Sequence, residues 1–112
     1  MTELSVIIPV FNEKESLQPL FSKIREALEN SSHRSWEVCF VDDGSSDSSW
    51  TELCRIREDN PHLVMALRLR RNFGKAEALQ AGFEATSGQL VITMDADLQD
   101  DPGTIPEFLR KI

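Results

Sequence analysis

Asp95, Asp97 and Gln99 stand at two-residue spacing within the stretch Leu90 to Asp101. In an extended backbone that spacing aims all three side chains the same way. Three hard oxygen donors at one strand end make a partial cage for Mg2+ or Mn2+, which substrate phosphates would complete. An Asp-x-Asp pair alone is a weak signal, since solvated loop acids are common and Asp101 reads equally well as a helix cap. The context adds to it. Leu90 to Met94 is a short apolar run with β-branched residues, bounded by Gly88, and it reads as a buried strand that stops at Asp95. Open α/β sheets hold their ligands where such strands leave the sheet.

The other groups able to do chemistry are basic. Lys75 follows Gly74 at a predicted helix start, where phosphates bind well. Arg68, Arg70 and Arg71 form the one dense positive cluster of a chain whose net charge is −7; a solvated strand end accounts for them equally well. That net charge argues against a nucleic-acid partner, which calls for a basic surface. His33 and His62 fall in polar turns and read as surface residues. Cys39 and Cys54 match no zinc or redox spacing and read as core thiols of a reducing, cytoplasmic compartment. The 112 residues suit one domain. No apolar run reaches the roughly 18 residues that a membrane span needs, and no signal peptide is evident.

The elements that must position these groups alternate in type. Strands are expected at Leu4 to Val10, Trp36 to Val41, Leu63 to Leu69 and Leu90 to Met94. Helices are expected at Glu13 to Glu29, with Asn12 and Glu15 as a capping box, at Asp47 or Ser49 up to Pro61, and at Lys75 to Thr86. In the third helix Ala78, Leu79, Gly82 and Phe83 are expected to face inward. A last helix begins at Asp101 or Thr104 and runs to Ile112. Strand–helix alternation predicts a parallel sheet with right-handed crossovers, in the order 3-2-1-4 and with its switch point between strands 1 and 4. One crevice is then lined by Pro9 to Glu13, by Asp42 and Asp43, and by Asp95 to Gln99. Ile7, Val41 and Ile92 are expected in the core.

Four stretches taken together, Val6 to Glu13, Val41 to Asp47, Arg71 to Lys75 and Met94 to Asp100, resemble the nucleotide-sugar half of family 2 glycosyltransferases of the GT-A type. The Asp95-to-Gln99 run and the Asn72-to-Lys75 loop look most like the branch that acts on polyprenyl phosphates, dolichyl or undecaprenyl. The resemblance implies that Pro9, Phe11 and Glu13 line the nucleotide pocket. It implies Val41 and Asp43 against base or ribose, Lys75 near the diphosphate, and Asp95, Ala96 and Asp97 on ribose, diphosphate and metal. Asp95, Asp97 and Gln99 would be the metal ligands, with Mg2+ or Mn2+ as cofactor. Many relatives have Tyr where this chain has Phe11, which removes a hydroxyl. The family fold continues well past this length, so the chain is expected to be a single donor domain truncated at its C-terminal end.

The implied function is metal-dependent, inverting transfer of a sugar from a UDP- or GDP-linked donor to a polyprenyl phosphate, with the full-length form at the cytoplasmic face of the membrane. The alternative is a nucleotide-diphosphate-binding half-domain without transferase activity. A receiver-type signalling domain also sets an acidic pair at a strand end. Here, however, the pair follows strand 2 rather than strand 1, and no Lys follows a fifth strand.

Overall fold

The computed structural model describes residues 2–31 and 35–96. Four strands, β1 (Leu4–Val10), β2 (Trp36–Asp42), β3 (Val64–Arg68) and β4 (Leu90–Thr93), form one sheet in the order β3-β2-β1-β4. All three strand pairs are parallel, with Leu4 opposite both Trp36 and Leu90. Between the strands run α1 (Leu17–Glu29), α2 (Ser49–Asp59) and α3 (Lys75–Ala85). The final predicted helix lies outside the described residues. Among the described residues no helix is long and apolar enough to cross a membrane.

The two-residue period of β1 and β2 sorts the core into two layers. Leu4, Val6, Ile8 and Val10 of β1, with Trp36, Val38 and Phe40 of β2, meet Leu17, Leu20, Phe21, Ile24 and Leu28 of α1 and Leu53 and Ile56 of α2. Ile7, Cys39 and Val41 point to the opposite face, where Ala78 of α3 covers them. Gly82 lets α3 lie directly on β1, since a Cβ there would sit 2.4 Å from Ile7 Cγ2. The expected core positions Ile7 and Val41 are fully buried, and Ile92 is 8% exposed.

The structure corrects three expectations. First, α1 begins at Leu17, not Glu13, and Ser16 is its N-cap. The capping box does not form. Asn12 instead takes a left-handed φ of 53°, which Asn tolerates, and turns its side chain to a distant loop. Second, Phe83 faces solvent at 48% exposure, because α3 presents only Ala78 and Gly82 fully to the sheet. Third, β4 is not buried on both faces. Leu90 and Val91 are 45% and 40% exposed, since β4 has β1 on one side and no strand on the other among the described residues.

The cysteines lie in different surroundings. Cys39 is buried, and burial, reinforced by the charge of Glu37, pushes its thiol up to about 12. Cys54 is half-buried. The thiolate is the reactive form. A thiol reagent at neutral pH should therefore modify Cys54 and spare Cys39 until denaturant is added. Equal labelling rates in the native protein would contradict the placement of Cys39 between β2 and α3.

Candidate nucleotide site

The C-terminal ends of β1, β2 and β4 open into one cleft of about 360 Å3. Pro9, Val10, Phe11 and Glu13 line it from β1, and Asp43 from β2. Asn72, Gly74 and Lys75 come from the start of α3, and Asp95 and Ala96 from β4. Of the residues expected at the site, Pro9, Phe11, Glu13, Asp43, Lys75, Asp95 and Ala96 are thus together. Val41 is fully buried in the layer under α3 and is not among the lining residues. Asp97 and Gln99 lie outside the described residues. Asn72 and Gly74 were not expected to line the cleft, although the stretch Arg71 to Lys75 that carries them was singled out.

Each wall is held by polar contacts that span the sequence. The first is the β1 loop. Asn12 Oδ1 accepts the backbone N–H of Ser46 at 2.8 Å and of Asp47 at 3.2 Å, while the Asn12 N–H donates to Ser45 Oγ at 2.9 Å. The Glu13 N–H donates to Ser49 Oγ at 2.9 Å, and the Glu13 carboxylate accepts the Phe11 N–H at 3.1 Å. Asp47 closes this set by accepting the Ser49 N–H and hydroxyl at 2.9 and 2.6 Å. Desolvation acts to raise the Asp47 carboxyl, but hydrogen bonds from the Ser49 hydroxyl, the Ser49 N–H and the Lys14 N–H, with the Lys14 charge, leave it lowered. The loops after β1 and β2 are in this way one unit.

The second wall is the approach to α3. The buried Asp43 carboxylate accepts the Phe73 N–H at 2.8 Å and the Gly74 N–H at 3.0 Å. Gly44, at φ 73°, lies so close beneath the same segment that a Cβ would sit 2.3 Å from the Arg71 carbonyl carbon. These contacts aim the N-terminus of α3, with Gly74 as N-cap, at the cleft. Next to Asp43, Asp42 is fully buried. Its Oδ1 accepts the Ser45 N–H at 3.2 Å, and among the described residues its Oδ2 makes no hydrogen bond and has Arg68 Nε at 3.9 Å. Arg68 also stacks over Trp50, as Arg71 does over Phe73.

The third wall is β4. Asp95 leaves the strand with its carboxylate on the cleft and pairs with Lys75 Nζ at 2.5 Å. A carboxylate here is a hard oxygen donor that suits Mg2+ or Mn2+. Among the described residues no group of three or more His, Cys, Asp and Glu side chains could hold a metal. The cleft therefore combines a helix N-terminus and a Lys, both suited to phosphate, with an exposed aromatic ring, Phe11, and a carboxylate suited to a divalent ion.

A parallel 3-2-1-4 sheet with a cleft at its carboxyl ends is Rossmann-like, the architecture of GT-A glycosyltransferases. A model of glycosyl transferase family 2 matches residues 5–112, and the chain belongs to that family. It is 42% identical over 109 residues to the undecaprenyl-phosphate 4-deoxy-4-formamido-L-arabinose transferase of Salmonella choleraesuis strain SC-B67, a match that covers 97% of this chain and 33% of that protein. The chain spans about a third of the length of the curated relatives it matches. Among solved structures, the mannosyltransferase PcManGT from Pyrobaculum calidifontis, in complex with GDP-Man and Mn2+, superposes with a TM-score of 0.75 at 26% identity, over 85% of this chain and 27% of that one. Glucosyl-3-phosphoglycerate synthase from Mycobacterium tuberculosis, with Mn2+, UDP and glucosyl-3-phosphoglycerate, gives 0.62 at 25% identity, over 86% of this chain and 34% of that one.

Proposed function

We propose that the chain is the single, sugar-donor-binding domain of a glycosyltransferase that moves a sugar from a UDP- or GDP-linked donor onto a polyprenyl phosphate, with inversion and with a divalent ion. The observation that carries this reading is the cleft itself. Phe11, Glu13, Asp43, Lys75, Asp95 and Ala96 all line it. The lipid-phosphate acceptor is supported by the relative that acts on undecaprenyl phosphate, and the nucleotide and metal by neighbours bound to GDP-Man or UDP with Mn2+. A full-length form at the cytoplasmic face of the membrane agrees with such an acceptor.

The residues divide the work. Phe11 offers its ring to the base, and Glu13 and Asp43 offer acceptors to base or ribose. Lys75 and the α3 N-terminus face the diphosphate. Asp95, with Asp97 and Gln99, would hold Mg2+ or Mn2+. That ion would supply charge stabilisation to the departing nucleoside diphosphate. A second reading is a nucleotide-diphosphate-binding half-domain without transferase activity, which the same lining residues would serve.

The test is a melting series with Mn2+, with UDP or GDP, and with both. Metal and nucleotide should stabilise cooperatively, by about 2.7 kcal/mol at a hundredfold excess over the dissociation constant. Asp97→Ala should abolish the metal-dependent part and Asp100→Ala should leave it. Additive shifts, or equal effects of the two substitutions, would refute the metal assignment. Transfer to undecaprenyl phosphate, followed with the anomeric configuration of the product, decides between the two readings: cooperative binding without transfer supports the second.

A further inference from the structure

The cleft already contains a cation. Lys75 Nζ lies 2.5 Å from Asp95 Oδ1, joining the first turn of α3 to the end of β4 across the cleft that both residues line. We propose that Lys75 is the resident counter-ion of Asp95, exchanged when ligand arrives, so that the cleft takes up a metal–nucleoside diphosphate chelate as one unit rather than metal first. This rests on the reading of the cleft as a nucleotide site.

The argument runs through charge. Asp95 is a hard donor whose carboxylate is engaged by the ammonium. A divalent ion arriving alone must displace or crowd that ammonium. The displaced Lys75 then faces an approaching dication, with no phosphate present to receive it. A diphosphate arriving alone draws Lys75 away and leaves Asp95 bare beside added negative charge, with Glu13 and Asp43 lining the same cleft. The chelate meets both demands in one step. The metal takes Asp95, and the ammonium, on its flexible four-carbon stem, swings to the phosphates at the α3 N-terminus. The exchange is easy because both side chains are more than half exposed, and ion pairs at such positions hold weakly.

The experiment separates metal alone from chelate. Free Mn2+ is followed by paramagnetic resonance as it is titrated into the wild type, Lys75→Gln and Lys75→Arg. UDP and GDP are titrated by calorimetry into the same proteins with and without Mn2+. Removing the resident cation should make Lys75→Gln bind Mn2+ alone about threefold tighter or more. The same substitution should weaken the Mn2+–nucleotide complex, so that the coupling between metal and nucleotide shrinks from both sides. Lys75→Arg, which keeps a cation, should stay near the wild type in Mn2+ affinity. Lys75→Gln binding Mn2+ no tighter than the wild type, while the wild type still binds the chelate, would overturn the exchange and leave the proposed function standing. A wild type that binds neither chelate would overturn both.

Discussion

Gly44→Ala should destabilise the protein by about 2–5 kcal/mol and weaken nucleotide binding along with it. Two costs add. The backbone at Gly44 has φ 73°, a left-handed conformation that a Cβ disfavours by about 1–2 kcal/mol. The new Cβ would also fall 2.3 Å from the Arg71 carbonyl carbon and 2.4 Å from the Asn72 nitrogen. Those are backbone atoms, so no rotamer relieves the collision and the whole segment 70–74 must move, at an overpacking cost of about 1–3 kcal/mol. Asn72 and Gly74 line the cleft, so the displacement reaches the site. Urea denaturation measures the first effect and Mn2+-dependent UDP or GDP titration the second. A loss under about 1 kcal/mol would mean that the two loops do not pack against each other in solution.

Asp43→Ala is expected to cost about 2–4 kcal/mol, because it strips the acceptor from the Phe73 and Gly74 N–H groups in a part-buried position. Asp43→Asn distinguishes the two duties of this carboxylate. Its amide oxygen can still accept one N–H, whereas its NH2 group meets the other donor to donor, so the stability loss should fall between that of Ala and none. If Asn preserves stability but abolishes nucleotide titration, Asp43 also touches the ligand, as the family resemblance implies. If stability and binding fall in proportion, its duty is to hold the start of α3. Full retention of both in Asp43→Ala would rule out either role.

The sheet was legible because β1 and β2 are apolar runs cut off by polar turns, and because strand–helix alternation leaves few topologies. Their bounds were read to within a residue. The position of the cleft was legible for the same reason, since the order 3-2-1-4 brings the ends of β1, β2 and β4 together whatever their chemistry. Side-chain duties were less so. Asn12 followed by Glu15 has the spacing of a local cap, and spacing cannot show that Asn12 bonds to residues more than thirty positions away. Phe83, Leu90 and Val91 are apolar and periodic, which says that they could be covered but not what stands beside them. The Lys75–Asp95 pair joins two residues singled out separately, and no pattern in the chain links them.

The cleft is also uneven in how firmly its walls are anchored. β1 and β2 are held on both sides by parallel partners, while β4 is four residues long, is paired to β1, and has Ile92 as its one buried side chain. Local opening is easiest where buried apolar contacts are few. Among the described residues the carboxylate of Asp95 therefore follows a strand with few buried contacts, whereas Asp43 follows β2, which is paired on both sides. A ligand spanning both must hold β4 closed, so its affinity includes the free energy of that closure. Amide exchange in β4 should slow when the cleft is filled, and loosening Ile92 should weaken binding from a position that never meets the ligand.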